Sequence, residues 1–344
     1  MEIRFGILGC GAIAAHHAQA IAMVPGAVLA GAADARPESA RTFCEKYGGQ
    51  AFESMEAMLA SPAVDAVCVL TPSGLHAQHA IQAADAGKHV LVEKPVALNL
   101  LDADRIIAAE ERNHVCIGVV SQYRFADSIL RLKGAVDQGL LGRIVTADVS
   151  MKYYRSPEYF ASSSWRGTWA MDGGGALMNQ GIHGVDTLLY IAGAARSVYG
   201  LARTLRHSIE VEDTALAAVE FESGALGYVQ GTASVYPGFP RRLSISGTKG
   251  TITVCEQLIT EWEIEGRPRD ADLALGGSQR TGASDPLNFD TEGHARHIQD
   301  MVEAIATGRP PAVSVREARR CIQLITAIYE SSRTGRRVDM KDWG

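Results

Sequence analysis

Three side chains stand where type and spacing suit proton chemistry: Lys94, His183 and Asn179. The apolar run His89-Val90-Leu91-Val92 closes on Glu93-Lys94-Pro95. Val90–Val92 reads as a short buried strand. Pro95, with no N–H to donate and a fixed φ, ends it. Glu93 and Lys94 are therefore expected at a strand's carboxyl end, where open parallel sheets bind ligands. A lysine fixed there beside a carboxylate is a placed cation. Asn179 and His183 follow the run Gly173-Gly174-Gly175 and lie four apart, which puts them on one helix face, with Asp186 three further along the same side. Three glycines permit a close backbone approach before that helix. Trp165-Arg166 flanks the segment, and a histidine titrates near working pH. Tyr153, Tyr154 and Tyr159 supply further hydroxyls.

A phosphate-binding pattern opens the chain. The strand-like Ile3–Leu8 runs into Gly9-Cys10-Gly11-Ala12-Ile13-Ala14, a G-x-G-x-x-A loop followed by an Ala-rich helix to Met23. Gly9 allows the tight turn and Gly11 lets the backbone approach a pyrophosphate. The helix start at Ala12 and Ile13 offers N–H groups to the anion. A second strand, Ala27–Ala33, ends in Asp34, 23 residues beyond Gly11 and near the offset of a ribose-binding acid. A 2′-phosphate there would meet like charge, so NAD is favoured over NADP. Arg36, two residues on, is the one group placed to relieve that repulsion.

The elements that must hold these groups divide in two. Up to about residue 122 strands and helices alternate: helices near 38–47, 54–60, 76–86 and 101–112, and strands at 50–52, 64–70, 90–92 and 115–120. This succession predicts a doubly wound parallel domain over 1–122. Over 123–344 a helix at 126–138 precedes strands at 142–151, 213–221, 224–233, 241–246 and 250–255, several in direct succession. That order predicts an α+β domain on a mostly antiparallel open sheet. Gly266–Asp290 reads as an irregular loop near the site or at a subunit contact, and Arg316–Arg320 as the wet face of a packing helix.

Composition narrows the class. The 344 residues are 47% hydrophobic with a formal net charge of −6. No basic footprint for nucleic acid is present, and no apolar stretch is long enough for a bilayer. A first strand at Glu2-Ile3 leaves no room for a signal peptide. The six cysteines are scattered, with neither C-x-x-C nor zinc spacing, which fits reduced thiols in the cytoplasm. Cys10, inside the glycine loop, is read as packing. His76/His79 and His294/His297 are i,i+3 pairs without a third ligand at suitable spacing, so no metal is expected. His16-His17 are expected to be solvated.

Together these segments resemble the glucose–fructose oxidoreductase/inositol dehydrogenase (Gfo/Idh/MocA) family over essentially the whole chain. The resemblance is carried by the glycine loop, Thr71-Pro72-Ser73-Gly74-Leu75-His76, Glu93-Lys94-Pro95, Gln122-Tyr123-Arg124-Phe125 and Gly173–Asp186. It implies a nicotinamide-dependent dehydrogenase acting on a secondary alcohol of a sugar, polyol or nucleotide sugar. Thr71, Pro72, His76, Glu93, Lys94 and Gln122 would join the cofactor site. Lys94, Tyr153, Trp165, Arg166, Asn179 and His183 would meet substrate, His183 exchanging the hydroxyl proton and Lys94 stabilising charge on the oxygen. Many members have aspartate where this chain has Asn179. The amide resembles the branch acting on nucleotide-linked amino-sugar uronates and removes a charge that would raise the histidine pKa. Arg124, Lys152, Arg155, Arg166, Arg203 and Arg206 either give the second domain a cationic cleft for a carboxylated or phosphorylated sugar or lie scattered over its surface. The alternatives are a silent dinucleotide sensor of the same fold and an oligomeric scaffold. Relatives bury the open sheet face in dimers or tetramers, so a homo-oligomer is expected.

Overall fold

The computed structural model describes residues 2–267, 282–285 and 291–344, in two compact units. Met1–Gln122 and Thr291–Arg319 form the first, Tyr123–Asp290 and Arg320–Gly344 the second. The first division falls between Gln122 and Tyr123. The assignment of all of 123–344 to the second domain needs correction, because Thr291–Arg319 belongs to the first unit. An amphipathic helix shows in sequence that it covers a core, not which one.

The first unit runs β1 (Ile3–Leu8), α1 (Ala14–Met23), β2 (Ala27–Ala33), α2 (Pro37–Tyr47), β3 (Gln50–Ala51), α3 (Met55–Ala60), β4 (Ala66–Val69), α4 (His76–Asp85), β5 (His89–Val92), α5 (Leu100–Asn113) and β6 (Ile117–Val119). Its six strands are all parallel in the order β3-β2-β1-β4-β5-β6, with β1 and β4 at the switch point where the winding reverses. Every residue of β4 is buried, as expected of strands covered on both faces. Ser54 caps α3 by accepting the Ala57 N–H, so the helix begins one residue later than expected.

The second unit runs α6 (Asp127–Asp137), β7 (Ile144–Lys152), α7 (Pro157–Ala161), a π-helical turn (Ala176–Gly181), α8 (Ile182–Ala192), β8 (Ala195–Arg203), β9 (Thr214–Phe221), β10 (Leu226–Thr232), β11 (Arg242–Gly247), β12 (Gly250–Cys255) and β13 (Leu258–Ile264). The chain continues with α9 (Glu292–Thr307) in the first unit, α10 (Val315–Thr334), and β14 (Val338–Asp339). The eight strands lie in the order β13-β12-β11-β7-β10-β9-β8-β14, antiparallel except for β7 and β10. β8, β13 and β14 were not anticipated. The Gly247–Gly250 pair closes a two-residue turn between β11 and β12. Most of the expected 266–290 loop lies outside the described residues.

In the first unit Phe5, Ile7, Ala14, Ala18, Ile21, Cys68 and Leu91 share a core with Ile298 and Met301 of α9. Gly118 is the seat for that helix, because a Cβ there would fall 2.6 Å from Met301 Sδ. Burying each large side chain contributes about 1.5–3 kcal/mol.

Candidate active site

The first unit builds its cluster from strand ends. Gly9 has φ +99° and passes so close to the Leu70 carbonyl that a Cβ would lie 2.9 Å away, so only glycine fits. At Gly11 a Cβ would meet nothing within 4 Å, and packing does not explain the glycine. Ile13 immediately precedes α1. Asp34 is fixed by two main-chain donors, Cys10 N–H at 2.8 Å and Arg36 N–H at 2.9 Å. Burial raises the Cys10 thiol to about 12, which keeps it neutral and unreactive.

Two further strand ends carry Thr71-Pro72 and Glu93-Lys94. Thr71 Oγ1 lies 2.9 Å from His79 Nδ1. Pro72 precedes the short turn Ser73–Leu75. The buried His76 ring lies 2.7 Å from the Pro95 carbonyl through Nδ1 and 2.7 Å from the Thr71 carbonyl through Nε2, tying the ends of β4 and β5 together. Each carbonyl is satisfied only by an N–H, so the ring meets both only when doubly protonated, a state that burial opposes.

Glu93 is buried, with Oε1 3.0 Å from His17 Nε2 and 3.6 Å from His294 Nε2. Its Oε2 accepts the Lys94 N–H at 3.1 Å, so the carboxylate grips Lys94 through its main chain. The Lys94–Pro95 peptide is cis. Burial pushes the Glu93 carboxyl up, but the bonds from His17 and His294 outweigh it and hold the group well below the usual carboxylate range. The expectation that His17 is solvated is corrected, since the ring is fully buried. Ala14, His17, Ala18 and Ile21 make one buried stripe of α1, and that period was the readable signal.

His17, Glu93 and His294 also bring three ligand atoms within 4.8 Å of one another, a grouping that spacing along the chain did not reveal. A hydrogen bond joins His17 to Glu93, and His294 stands 3.6 Å from the same oxygen. His297 accepts the Ser121 N–H at 2.8 Å, and burial lowers it to about 3, so it is neutral. Gln122 packs against Gly293 at the start of α9, and its buried Oε1 has no partner among the described residues.

The second unit gathers the other candidates around the π-helical turn. Asn179 donates through Nδ2 to the buried Asp172 at 2.5 Å, and Asp172 also accepts the Gly167 N–H. Gln180 Nε2 bonds both Asn179 Oδ1 and the Tyr159 hydroxyl, which also accepts from Arg166 Nη1 at 2.6 Å. Arg166 stacks over Tyr159 and Trp165, 4.5 and 4.8 Å from their centroids. Thus Trp165, Arg166 and Asn179 are joined through Tyr159 and Gln180, with Asp172 behind them. Asp172 and Gln180 were missed because each stands in its motif as spacer.

His183 meets the Tyr123 ring edge-on at 5.2 Å, and the buried Arg241 lies 4.0 Å over the other contact surface of Tyr123. Tyr153 is buried near Arg155, and burial raises its phenol far above the ordinary value. Asp186 forms a buried bidentate pair with Arg124 at 2.8 and 2.6 Å, so it serves α8 packing. The candidate cationic cleft shrinks accordingly. Arg124 is neutralised there, and Arg155 is spent on Gln180 and the carbonyls of Tyr154, Gly282 and Ala283. Arg166 is half-buried, with its Nε unpartnered among the described residues.

Comparison with known proteins adds a frame. Residues 3–121 match the family described as oxidoreductase family, NAD-binding Rossmann fold, and residues 129–253 match the GFO/IDH/MocA C-terminal domain. The chain is similar to the WlbA dehydrogenase of Bordetella pertussis in complex with NADH and UDP-GlcNAcA, at 35% identity and TM-score 0.88, covering 98% of this chain and 99% of that one. The WlbA dehydrogenase of Chromobacterium violaceum with the same two ligands shows 33% identity and TM-score 0.88, over 98% and 96% of the two chains. A myo-inositol 2-dehydrogenase of Thermotoga maritima is 27% identical over 99% of both chains.

Proposed function

This chain belongs to the Gfo/Idh/MocA oxidoreductase family, and from that premise we propose that it oxidises a secondary alcohol of a nucleotide-linked amino-sugar uronate with NAD. The observation that carries the substrate class is near-complete alignment with two dehydrogenases whose structures hold UDP-GlcNAcA, on a chain with an amide at Asn179. Myo-inositol is the competing substrate, from a relative of lower identity.

The first unit fits the dinucleotide. Gly11 is a glycine that packing does not require, and Asp34 is an acid at the end of β2 with lone pairs to spare. Gln122 presents an orphaned acceptor of the kind a carboxamide N–H satisfies. NAD, when bound, supplies the hydride acceptor. Asp34 disfavours a 2′-phosphate, with Arg36 the residue that would relieve it. His183 takes the hydroxyl proton in oxidation and returns it in reduction. Lys94, its main chain fixed by Glu93, stabilises negative charge on the substrate oxygen. Asn179, held by Asp172, orients the sugar, and the unpartnered Nε of Arg166 receives an anionic group of the substrate.

We extend the proposal to assembly. Tyr199 and Leu201 of β8, Leu216 of β9 and Leu226 and Tyr228 of β10 are exposed on one sheet face, where Leu201 pairs Leu216 and Ala218 lies between Tyr199 and Tyr228. A contiguous apolar face of this kind suits a second copy, hence a dimer or tetramer. A single-chain mass by light scattering overturns it. No helix among the described residues is long and apolar enough to cross a membrane. Six free cysteines support a reducing, cytoplasmic setting.

The substrate test is NADH formation from NAD with UDP-N-acetylglucosaminuronate, myo-inositol and unmodified sugars in parallel. Turnover of the uronate at a kcat/KM well above the others is expected. Preference for inositol overturns the assignment, and tight NADH binding without turnover of any of them favours a sensor.

A further inference from the structure

Four main-chain N–H groups open the segment that carries Asn179 and His183: those of Gly175, Ala176, Leu177 and Met178. The first turn of a helix leaves such donors without partners inside the helix. Here one distant residue, Glu212, takes three of them. Glu212 Oε2 accepts from Gly175 at 2.8 Å, the Glu212 carbonyl from Ala176 at 3.0 Å, and Glu212 Oε1 from Leu177 at 2.8 Å. The Tyr329 hydroxyl donates its proton to Glu212 Oε1 at 2.8 Å. The glycine run exists for this cap. A Cβ on Gly175 would overlap the Glu212 carbonyl, and one on Gly174 would overlap the Tyr329 hydroxyl.

We propose that Glu212 is a positioning residue for the acid/base face: as a carboxylate it fixes the start of the segment bearing Asn179 and His183, and on taking up a proton it releases that segment. The proposal rests on the reading of His183 as the acid/base. An ionised carboxylate has lone pairs for all three donors that reach it. Protonation turns one acceptor into a donor facing an N–H or the phenol, and one bond is lost. The titratable groups on this side are Tyr329 of α10 and, next to Tyr329, Asp172. Asp213 turns its carboxylate to the amides of Leu205, Arg206 and His207. Burial raises the Glu212 carboxyl to about 7, against the pull of its donors, so release falls in the working range.

The experiment compares kcat/KM against pH for wild type and Glu212→Gln in both reaction directions. His183 is needed neutral for oxidation and protonated for reduction, so its limb inverts between directions. Glu212 is needed ionised in both, so its limb rises with pH near 7 in both. Glu212→Gln keeps the shape but loses one acceptor; it should abolish the common limb and lower kcat/KM about 10–100-fold, the scale of a small misplacement of reacting groups. Persistence of the common limb overturns the proposal. Tyr329→Phe removes one donor and should move that limb to higher pH, while an unmoved limb counts against the proposal; this serves should Glu212→Gln not fold. Carboxyl-carbon NMR of the enzyme without substrate, assigned by difference against Glu212→Gln, gives a readout independent of turnover. A near-neutral midpoint supports the proposal, and one in the ordinary carboxylate range overturns it. Full activity in His183→Ala would defeat the acid/base reading while leaving that titration intact.

Discussion

Glu93 in the first unit and Glu212 in the second are both buried carboxyls that accept main-chain N–H groups, yet they shift in opposite directions from the ordinary carboxyl value. Burial pushes both upward. Glu93 is nevertheless held well below the usual range, and Glu212 is raised to about 7. The difference lies in the remaining donors. Glu93 has His17 Nε2 at 3.0 Å and His294 Nε2 at 3.6 Å, and these interactions outweigh its burial. Glu212 has amides and a phenol, which are dipoles only. A buried carboxylate is thus permanent or switchable according to whether its interactions outweigh the cost of its burial. The permanent one fixes the main chain of Lys94, and the switchable one caps the segment of His183.

Removing the group each carboxylate positions should have the largest effect. Lys94→Ala and His183→Ala are each expected to lower kcat by about two to four decades, the range for a placed charge or a general acid/base. NADH affinity, by fluorescence titration, should survive in His183→Ala. Wild-type turnover in either variant breaks the assignment.

Next come the carboxylates themselves. Glu93→Ala strips the acceptor from buried His17 and should cost about 3–5 kcal/mol, as for a broken buried pair. Because the folded pKa of Glu93 is depressed, its stabilisation is present above the unfolded value and is lost as pH falls through the folded one, in acid. Glu212 has the opposite sign. Its folded pKa is raised from 4.5 to about 7, so its contribution is full below about 4.5 and is lost as pH rises through 7. The loss amounts to roughly 3 kcal/mol. Thermal melts across pH should show wild type losing stability over that interval relative to Glu212→Gln. A pH-independent difference would remove the contrast between the two acids.

The two units also differ in how far they could be read from sequence. Strands such as Ala66–Val69 are covered on both faces and show as unbroken apolar runs, and Gly9 and Pro95 punctuate them. That made the doubly wound order legible. Strand β8 alternates small, charged and apolar residues around Gly200, with one face exposed, and was overlooked. The return of α9 to the first unit had no signal, since its amphipathic period suits either core. Lys94, Asn179 and His183 stand in compact motifs and were visible as candidates. Glu212 reaches Gly175 across 37 residues and Tyr329 reaches Glu212 across 117, so the cap leaves no local period. The triple glycine was noticed, but the partner of its close approach was not.

The smallest expected effect concerns Asn179, the departure from the aspartate common in the family. Its amide donates to Asp172 at 2.5 Å, so an acid already stands behind this position. Asn179→Asp would place two carboxyls in contact in a buried setting, where both cannot ionise together, and the pair would hold one proton with apparent pKa values belonging to the dyad. While that proton is held, an O–H replaces the amide N–H as donor to Asp172 and the shape of the network survives. The variant should therefore lose only about tenfold in kcat/KM, the scale of one altered hydrogen bond to a charged group. Its activity should fall further as pH rises through the upper dyad value, because repulsion then drives the two side chains apart. That fall is opposite in sign to the rising limb assigned to Glu212. A profile that keeps the wild-type shape would mean that Asp172 and residue 179 do not act as a pair, and a rise with pH would mean that the new carboxylate works on His183 directly.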